Sequence, residues 1–188
     1  KDGLQRDQFI PFINIIRNFC KEHELVVKQD YRKFSISKLD RFLHPINDET
    51  FFQASSIFRE ISKGKINKPK TIVVKGRDFI IKNYFEGLAR LNFNDLCATA
   101  IGAEDYIKIT EYCNFILIDN VPDFDDENAD KQQRFITLID ILYEKKIPIM
   151  ITANFNYKNF NSSTRLNDAY KRTISRLFEL TSPKFKIY

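Results

Sequence analysis

The chain has 188 residues, of which 43% are hydrophobic, 14% aromatic and 29% charged, and its formal net charge is +5. With only 5 Gly and 6 Pro, this composition excludes the collagen-like, low-complexity and disordered classes and indicates a globular protein. The longest apolar runs, 115–118 and 147–151, are far shorter than the roughly 20 residues that span a bilayer, so we expect neither a membrane span nor a secretion signal. Because the only methionine is Met150, we expect the sequence that opens at Lys1 to be a piece of a longer protein.

The positive charge is concentrated in residues 59–82, where eight Lys and Arg residues oppose only Glu60 and Asp78. Such a stretch favours contact with phosphate or an acidic partner, and a solvated basic face is the alternative. Stacking aromatics are not interleaved with these cations, since only Phe79 and Tyr84 lie nearby. We therefore expect weak polyanion binding and do not expect nucleic acid as a specific partner.

Three cysteines, Cys20, Cys97 and Cys113, are an odd number without the spacing of a disulfide framework. They predict reduced thiols that act as small buried hydrophobic residues. The Cys20-x-x-His23 pair lacks the further ligands of a four-coordinate zinc site, so we expect no metal site.

The first elements in chain order are two helices separated by a short strand and an irregular segment. Apolar residues at helical spacing predict a helix at 5–23, and an apolar run predicts a strand at 25–27. Residues 30–47 are predicted to be irregular. Asp48 is the expected N-cap of a second helix at 49–62.

Two β-rich runs, 71–74 and 78–81, flank Lys75-Gly76-Arg77 and predict a hairpin around a tight turn. Three further elements follow: a strand at 88–93, a short helix from Asn94 or Asp95 to Ala100, and a helix at 103–112. Gly102 is expected to end the first of these helices.

The last third changes pattern. The continuous apolar run 115–118 predicts a strand buried on both faces, with Asp119 at its carboxyl end. After an acidic loop come the remaining predicted elements: a helix at 132–145, a strand at 147–152 and a helix at 168–180. Buried strands alternating with helices predict a parallel α/β layer.

Motifs for nucleotide and hydrolase chemistry are absent from the sequence. The five glycines never form G-x-x-x-x-G-K-S/T or G-x-G-x-x-G, and there is no G-x-S-x-G. Ile116-Leu117-Ile118-Asp119 is similar to the end of a nucleotide-binding strand that presents an acid to magnesium. An Asp that ends a strand and caps the next turn is the alternative.

Short blocks in one order along the whole chain carry a family resemblance. They are Asp2-Gly3-Leu4-Gln5-Arg6, Phe9-Ile10-Pro11-Phe12-Ile13, Asp30-Tyr31-Arg32, Leu96-Cys97, Gly102-Ala103-Glu104-Asp105-Tyr106, Val121-Pro122, Arg134-Phe135-Ile136-Thr137-Leu138-Ile139-Asp140 with Leu142-Tyr143, and Arg172-Thr173 with Ser175-Arg176-Leu177. In these blocks the chain resembles the ZapE-like ATPases, the family shared with the mitochondrial AFG-one-like ATPases. It departs from the family's pattern at Cys113-Asn114-Phe115, where the family commonly has Phe-His.

The resemblance implies an α/β fold, the carboxyl-terminal part of a P-loop ATPase of the AAA+ class with a β-hairpin insertion. It divides the chain into the end of the AAA+ core at 1–35, a basic family-specific segment with the hairpin at 36–93, and a strand-helix-strand-helix segment at 94–188. The family's phosphate loop, magnesium-binding acids and first sensor precede Lys1. ATP and Mg²⁺ are therefore the expected cofactors of the full-length protein, and neither is expected to bind this segment alone.

The resemblance also suggests site residues. Arg6 occupies the place where this class presents an arginine finger to the γ-phosphate of the neighbouring subunit, and a surface residue at a helix start is the alternative. Arg172 and Arg176 on the last helix are candidates for a second-sensor role in nucleotide binding. For Arg176 the alternative is a solvated or salt-bridged position.

The function implied is that of the carboxyl-terminal portion of a ZapE-like ATPase linked to cell division or protein quality control. A noncatalytic protein-interaction module of the same lineage is the alternative. The resemblance further implies self-association as an AAA+ ring, a cell-division or inner-membrane protein as partner, and the bacterial cytoplasm or the matrix side of a mitochondrion as location.

Overall fold

A computed structural model describes residues 41–183, all within the unit Ser35–Tyr188. The described residues form seven strands, β1 (Phe42–Leu43), β2 (Lys70–Val74), β3 (Arg77–Ile81), β4 (Asn83–Phe85), β5 (Leu88–Asn92), β6 (Phe115–Val121) and β7 (Ile149–Ala153). They also form five α-helices, α1 (Asp48–Ile61), α2 (Phe93–Cys97), α3 (Ala103–Thr110), α4 (Ala129–Glu144) and α5 (Asn167–Thr181). The helix predicted at 5–23 and the strand predicted at 25–27 lie outside the described residues.

The main sheet has five strands in the order β1-β7-β6-β5-β4. The first four are mutually parallel, and β4 pairs antiparallel with β5. The parallel α/β layer predicted from the sequence is therefore confirmed. Because β5 and β6 are neighbours, strands of the predicted segments 36–93 and 94–188 belong to one sheet, and the three-part division of the chain remains a prediction.

Both faces of this sheet are buried, and alternation along the strands divides the core in two. Phe115 and Leu117 of β6 pack with α1, whereas Ile116 and Ile118 belong to the larger cluster on the other face. Aromatic residues of α2, the acidic loop, α4 and α5 dominate that larger cluster: Phe93, Phe124, Phe135 and Tyr170. The run 115–118 is continuously apolar because, as predicted, it forms a strand with no solvent-facing side.

β1 was not predicted. Phe42 and Leu43 fall in the segment expected to be irregular, yet they pair with Ile151 and Thr152 at the edge of the sheet. Their side chains bury into opposite core clusters, as alternation along a strand requires. A strand of two residues carries too short a pattern to be recognised. The same is true of β4, which has three residues.

Several helix ends differ from those predicted because asparagines act as caps. Asn47, not Asp48, caps α1, with its side chain accepting from the Thr50 N–H at 2.9 Å. Asn92 caps α2, so that Phe93 begins a helix instead of ending a strand. Gly102 precedes α3 and does not end the helix before it; its N–H donates to Asp105 Oδ2 at 2.9 Å. In α1 and α2 the cap side chain satisfies an N–H group that has no helical partner, and this favours the start of the helix at that residue.

The predicted hairpin is present as an antiparallel pair of β2 and β3, separate from the main sheet. Its two-residue turn places Lys75 and Gly76 at positive φ, as the tight hairpin turn requires. A two-stranded hairpin is marginal alone and needs packing. Here the inner side chains Ile72, Val74 and Ile81 bury against the larger core cluster.

Candidate functional site

The carboxyl ends of the parallel strands meet at one edge of the main sheet, which is where open α/β sheets bind ligands. In the register of the sheet, Asn92 at the end of β5 lies opposite Asp119 of β6. Val121 at the end of β6 lies opposite Ala153 at the end of β7. Polar side chains near these ends make this edge the candidate site, and we call it the carboxyl edge.

An ion pair between Arg90 and Asp119 is the most buried charged contact at this edge. Arg90 Nε donates to Asp119 Oδ2 at 2.6 Å and Arg90 Nη2 donates to Oδ1 at 3.2 Å. The two side chains are only 16% and 11% exposed. Arg90 Nη1 also donates to Ser55 Oγ at 2.9 Å, and the guanidinium lies 5.1 Å from the centre of the Phe51 ring. Both oxygens of the carboxylate are therefore occupied by protein donors.

The backbone of β6 is irregular at the same place. The pairing with β7 shifts between Ile118 and Val121, and Asn120 has a φ of 63°. Asparagine is among the residues that tolerate this left-handed conformation best. Its N–H donates to Thr152 Oγ1 at 2.9 Å, which holds the bulge to the neighbouring strand.

The first turn of α1 lies next to this edge in the chain, directly after β1 and its four-residue connection. The Asn47 side chain accepts from the Thr50 N–H, and the Asn47 N–H donates to Thr50 Oγ1 at 3.1 Å. Asn154 Oδ1 accepts from the Ile46 N–H at 3.3 Å and so links this connection to the end of β7. The Asn47 side chain thus satisfies one of the backbone donors in the first turn of α1.

Asp119 therefore differs from both interpretations of the sequence. It lies inside β6 and not at its end, and it binds a strand arginine instead of capping a turn. A magnesium ion at this carboxylate would have to share it with Arg90. Sequence analysis missed Arg90, although an arginine inside the apolar strand Leu88-Ala89-Arg90-Leu91 is itself a signal, because a buried cation needs a nearby anion.

The structure places the two second-sensor candidates on α5. Arg176 donates to Asp140 of α4, and its guanidinium lies 5.2 Å from the centre of the Tyr143 ring. Arg172 is exposed and forms no hydrogen bond or ion pair with any residue in the described range 41–183. Neither arginine shares such a contact with Arg90 or Asp119. Arg6 lies outside the described residues.

Two thiols lie deep in the core, as the sequence predicts. Cys97 and Cys113 are buried and unpaired, and burial raises the pKa of each thiol to about 12. At neutral pH they are protonated and poor nucleophiles.

Among the residues that the structure describes, no three His, Cys, Asp or Glu side chains lie together as metal ligands. No helix between residues 41 and 183 has the length and apolarity needed to cross a membrane.

The basic stretch 59–82 is partly neutralised by the protein. Lys75 pairs with Glu104 at 2.6 Å, Arg77 with Asp105 at 3.0 Å and Lys63 with Glu60 at 3.8 Å. The first two contacts join the hairpin to α3. Of the three, only the Arg77 pair has a buried partner, the Asp105 carboxylate, whereas the other two are exposed pairs that add little stability.

Comparison with known proteins agrees with the resemblance found in the sequence. The model of the AFG1-like ATPase family matches residues 1–187. Cell division protein ZapE of Escherichia coli strain K12 is 25% identical over 185 residues, which cover 98% of this chain and 49% of ZapE. Lactation elevated protein 1 homolog B of Danio rerio is 28% identical over 157 residues, which cover 82% of this chain and 31% of that protein.

No solved structure matches the chain. The chain spans about half the length of ZapE and about a third of the Danio rerio relative. The family match, in contrast, extends over nearly every residue of the chain. The chain therefore belongs to the AFG1-like ATPase family.

Proposed function

We propose that this segment is the carboxyl-terminal portion of a protein that binds and hydrolyses ATP with Mg²⁺. The observation that carries the proposal is the family match over residues 1–187 in a chain that has no phosphate-loop motif and spans 49% of ZapE. In this proposal the nucleotide-binding loop belongs to the part of the protein that precedes Lys1. The activity serves cell division or protein quality control through a protein partner in the bacterial cytoplasm or on the matrix side of a mitochondrion.

The contacts at the carboxyl edge support a role for residues 41–183 other than holding nucleotide. Arg90 occupies both oxygens of Asp119, and the Asn47 side chain occupies a donor in the first turn of α1. A metal ion carried by a nucleotide would have to share that carboxylate with Arg90, in an ion pair with little solvent exposure.

In the same proposal, Arg6 is the residue through which the segment takes part in hydrolysis. A guanidinium that reaches the γ-phosphate of the neighbouring subunit neutralises charge on the transferred phosphoryl group, and such a finger is worth ~10³ to 10⁵ in rate. This role requires self-association, because the arginine and the nucleotide belong to different subunits. Of the two second-sensor candidates, Arg172 is the better one, since Asp140 and Tyr143 already engage Arg176.

The test is Arg6→Ala in the full-length protein. We expect ATP affinity close to that of the wild type and turnover lower by orders of magnitude, because a finger acts on charge that develops in the transition state. Arg59→Ala is the matched control, since Arg59 is exposed and forms no ion pair within residues 41–183. Mixing Arg6→Ala with a variant disabled in its phosphate loop should restore part of the activity. Wild-type turnover in Arg6→Ala would refute the finger.

A noncatalytic interaction module is the second candidate function, and the missing phosphate-loop motif favours it. A fluorescent ATP analogue distinguishes the two. Magnesium-dependent binding to the full-length protein supports the ATPase, and no binding supports the module. In both cases we expect the 188-residue segment alone neither to bind ATP tightly nor to hydrolyse it.

A further inference from the structure

An open cleft of about 400 Å³ lies between the hairpin and the carboxyl edge. One side is lined by Asp78, Phe79 and Ile80 of β3, and by Lys82 and Asn83, which follow this strand. The other side is lined by residues of β5 and α2, among them Asn92 and Asp95, together with the Arg90–Asp119 pair. The middle residues of β3 thus form one wall of the cleft.

The backbone of β3 is unpaired on the side away from β2. The two-residue turn makes Val74–Arg77 and Ile72–Phe79 the hydrogen-bonded pairs of the hairpin. By the same alternation, the N–H and C=O groups of Asp78 and Ile80 point away from β2. Within residues 41–183 no hydrogen bond to these groups is present, since β3 pairs with β2 alone. Such an edge is a template for a further strand.

Apolar surface accompanies this edge. Ile80 lines the cleft and is 53% exposed. Phe79 and Ile101, both partly buried against the larger core cluster, line the cleft as well. An apolar side chain of a bound segment could therefore bury against Ile80.

Two unpaired carboxylates set the charge of the cleft. Asp78 lies on the hairpin wall and Asp95 on the opposite wall, and neither side chain forms a hydrogen bond or ion pair with another described residue. Lys82 is the one cation of the lining besides the paired Arg90. A cationic side chain between the walls would complement this charge.

From these observations we infer that the cleft binds an extended segment of a partner protein, which adds as a strand to the free edge of β3. The segment carries a Lys or Arg between Asp78 and Asp95 and an apolar residue on Ile80. Strand addition draws affinity from backbone hydrogen bonds and selectivity from alternate side-chain positions. β3 has five residues, so the bound segment is about five residues long.

Fluorescein-labelled peptides Val-Thr-Lys-Thr-Val and Val-Thr-Glu-Thr-Val, in which the charged residue and the valines lie on one face of a strand, test this on the full-length protein by fluorescence anisotropy. We expect saturable binding of the lysine peptide and binding of the glutamate peptide weaker by about tenfold. An N-methylated lysine peptide, which keeps the side chains but loses backbone donors, should also bind about tenfold more weakly. Equal binding of all three, or no binding of the lysine peptide at 1 mM, a concentration about a thousandfold above a micromolar Kd, overturns the inference.

Two pairs of variants locate the site. Ile80→Pro removes an outward N–H, a change that edge strands tolerate, and should abolish binding of the lysine peptide. Thr71→Pro makes the matched change opposite Ile80, on the edge of β2 away from the cleft, and should leave binding unchanged. Asp95→Asn should weaken binding, whereas Glu144→Gln, on an exposed acid of α4, should not. If Ile80→Pro instead dissociates a dimer while peptide binding is absent, a second copy occupies the edge and the inference is wrong.

Discussion

Replacement of Arg90 by Met tests the claim that the Arg90–Asp119 pair organises the carboxyl edge. The change keeps much of the apolar stem but leaves the Asp119 carboxylate, 11% exposed, without its partner. Removing one member of a buried pair costs about 3–5 kcal/mol in the free energy of unfolding. For a chain of this size that loss lowers the melting temperature by about 10 °C. Urea unfolding followed by circular dichroism measures the free energy, and a thermal melt followed by the same signal measures the melting temperature.

Two further variants decide whether the buried charge is the cause. Arg90→Met combined with Asp119→Leu removes both charges, and we expect it to recover most of the lost stability, because a well-packed apolar pair often replaces a buried ion pair without cost. Lys171→Met breaks the exposed pair with Asp168, whose side chains are 58% and 98% exposed, and should cost at most about 0.5 kcal/mol. If Arg90→Met costs no more than Lys171→Met, the reasoning is wrong.

Three other predictions concern the core and the surface. Cys97 and Cys113 should resist a thiol reagent at pH 8 until the protein unfolds, because their pKa values in the folded protein are raised to about 12. For the same reason, their contribution to stability is complete below the pKa of the unfolded thiol and is lost as pH rises from there towards 12. A series of urea melts at increasing pH measures this loss. Phe135→Ala should cost about 3–5 kcal/mol and Phe52→Ala, at 72% exposure, less than about 0.5, as measured by the same melts. Heparin should bind the stretch 59–82 weakly and release it in moderate salt, and retention at high salt would contradict this.

The elements that the sequence predicts well are those with long, uniform patterns. The apolar run at 115–118 and the periodic segment at 132–145 correspond to β6 and α4, with ends that differ by a few residues. The hairpin is predicted because a two-residue turn with Gly76 at positive φ leaves few alternatives. In each case a local pattern of several residues points to one structure.

The Arg90–Asp119 pair shows what local patterns leave out. Arg90 follows Leu88 by two residues and Asp119 follows Leu117 by two, so alternation places each on the face of the sheet that α1 covers. That the two meet depends on β5 lying beside β6 in one register. Twenty-nine residues separate them in the chain, and nothing in either strand specifies its neighbour. The asparagine cap of α1 was not predicted for a related reason. Asn47 and Asp48 are both residue types that favour the N-cap, and only the backbone conformation decides between them.

The position of the hairpin links the basic stretch to the open edge of β3. Arg77 binds Asp105 and the carbonyl of Ala100, and Lys75 binds Glu104, so two cations of the stretch attach the hairpin to α3 and its approach. Those cations are paired with carboxylates and contribute less to long-range attraction of a polyanion than their number suggests. The hairpin they hold in place lines the cleft with the free side of β3 and the unpaired carboxylate of Asp78. The sequence predicts that the basic stretch forms a surface for anions. In the fold, two of its cations position the free edge of β3, and the residues around that edge favour a cationic peptide.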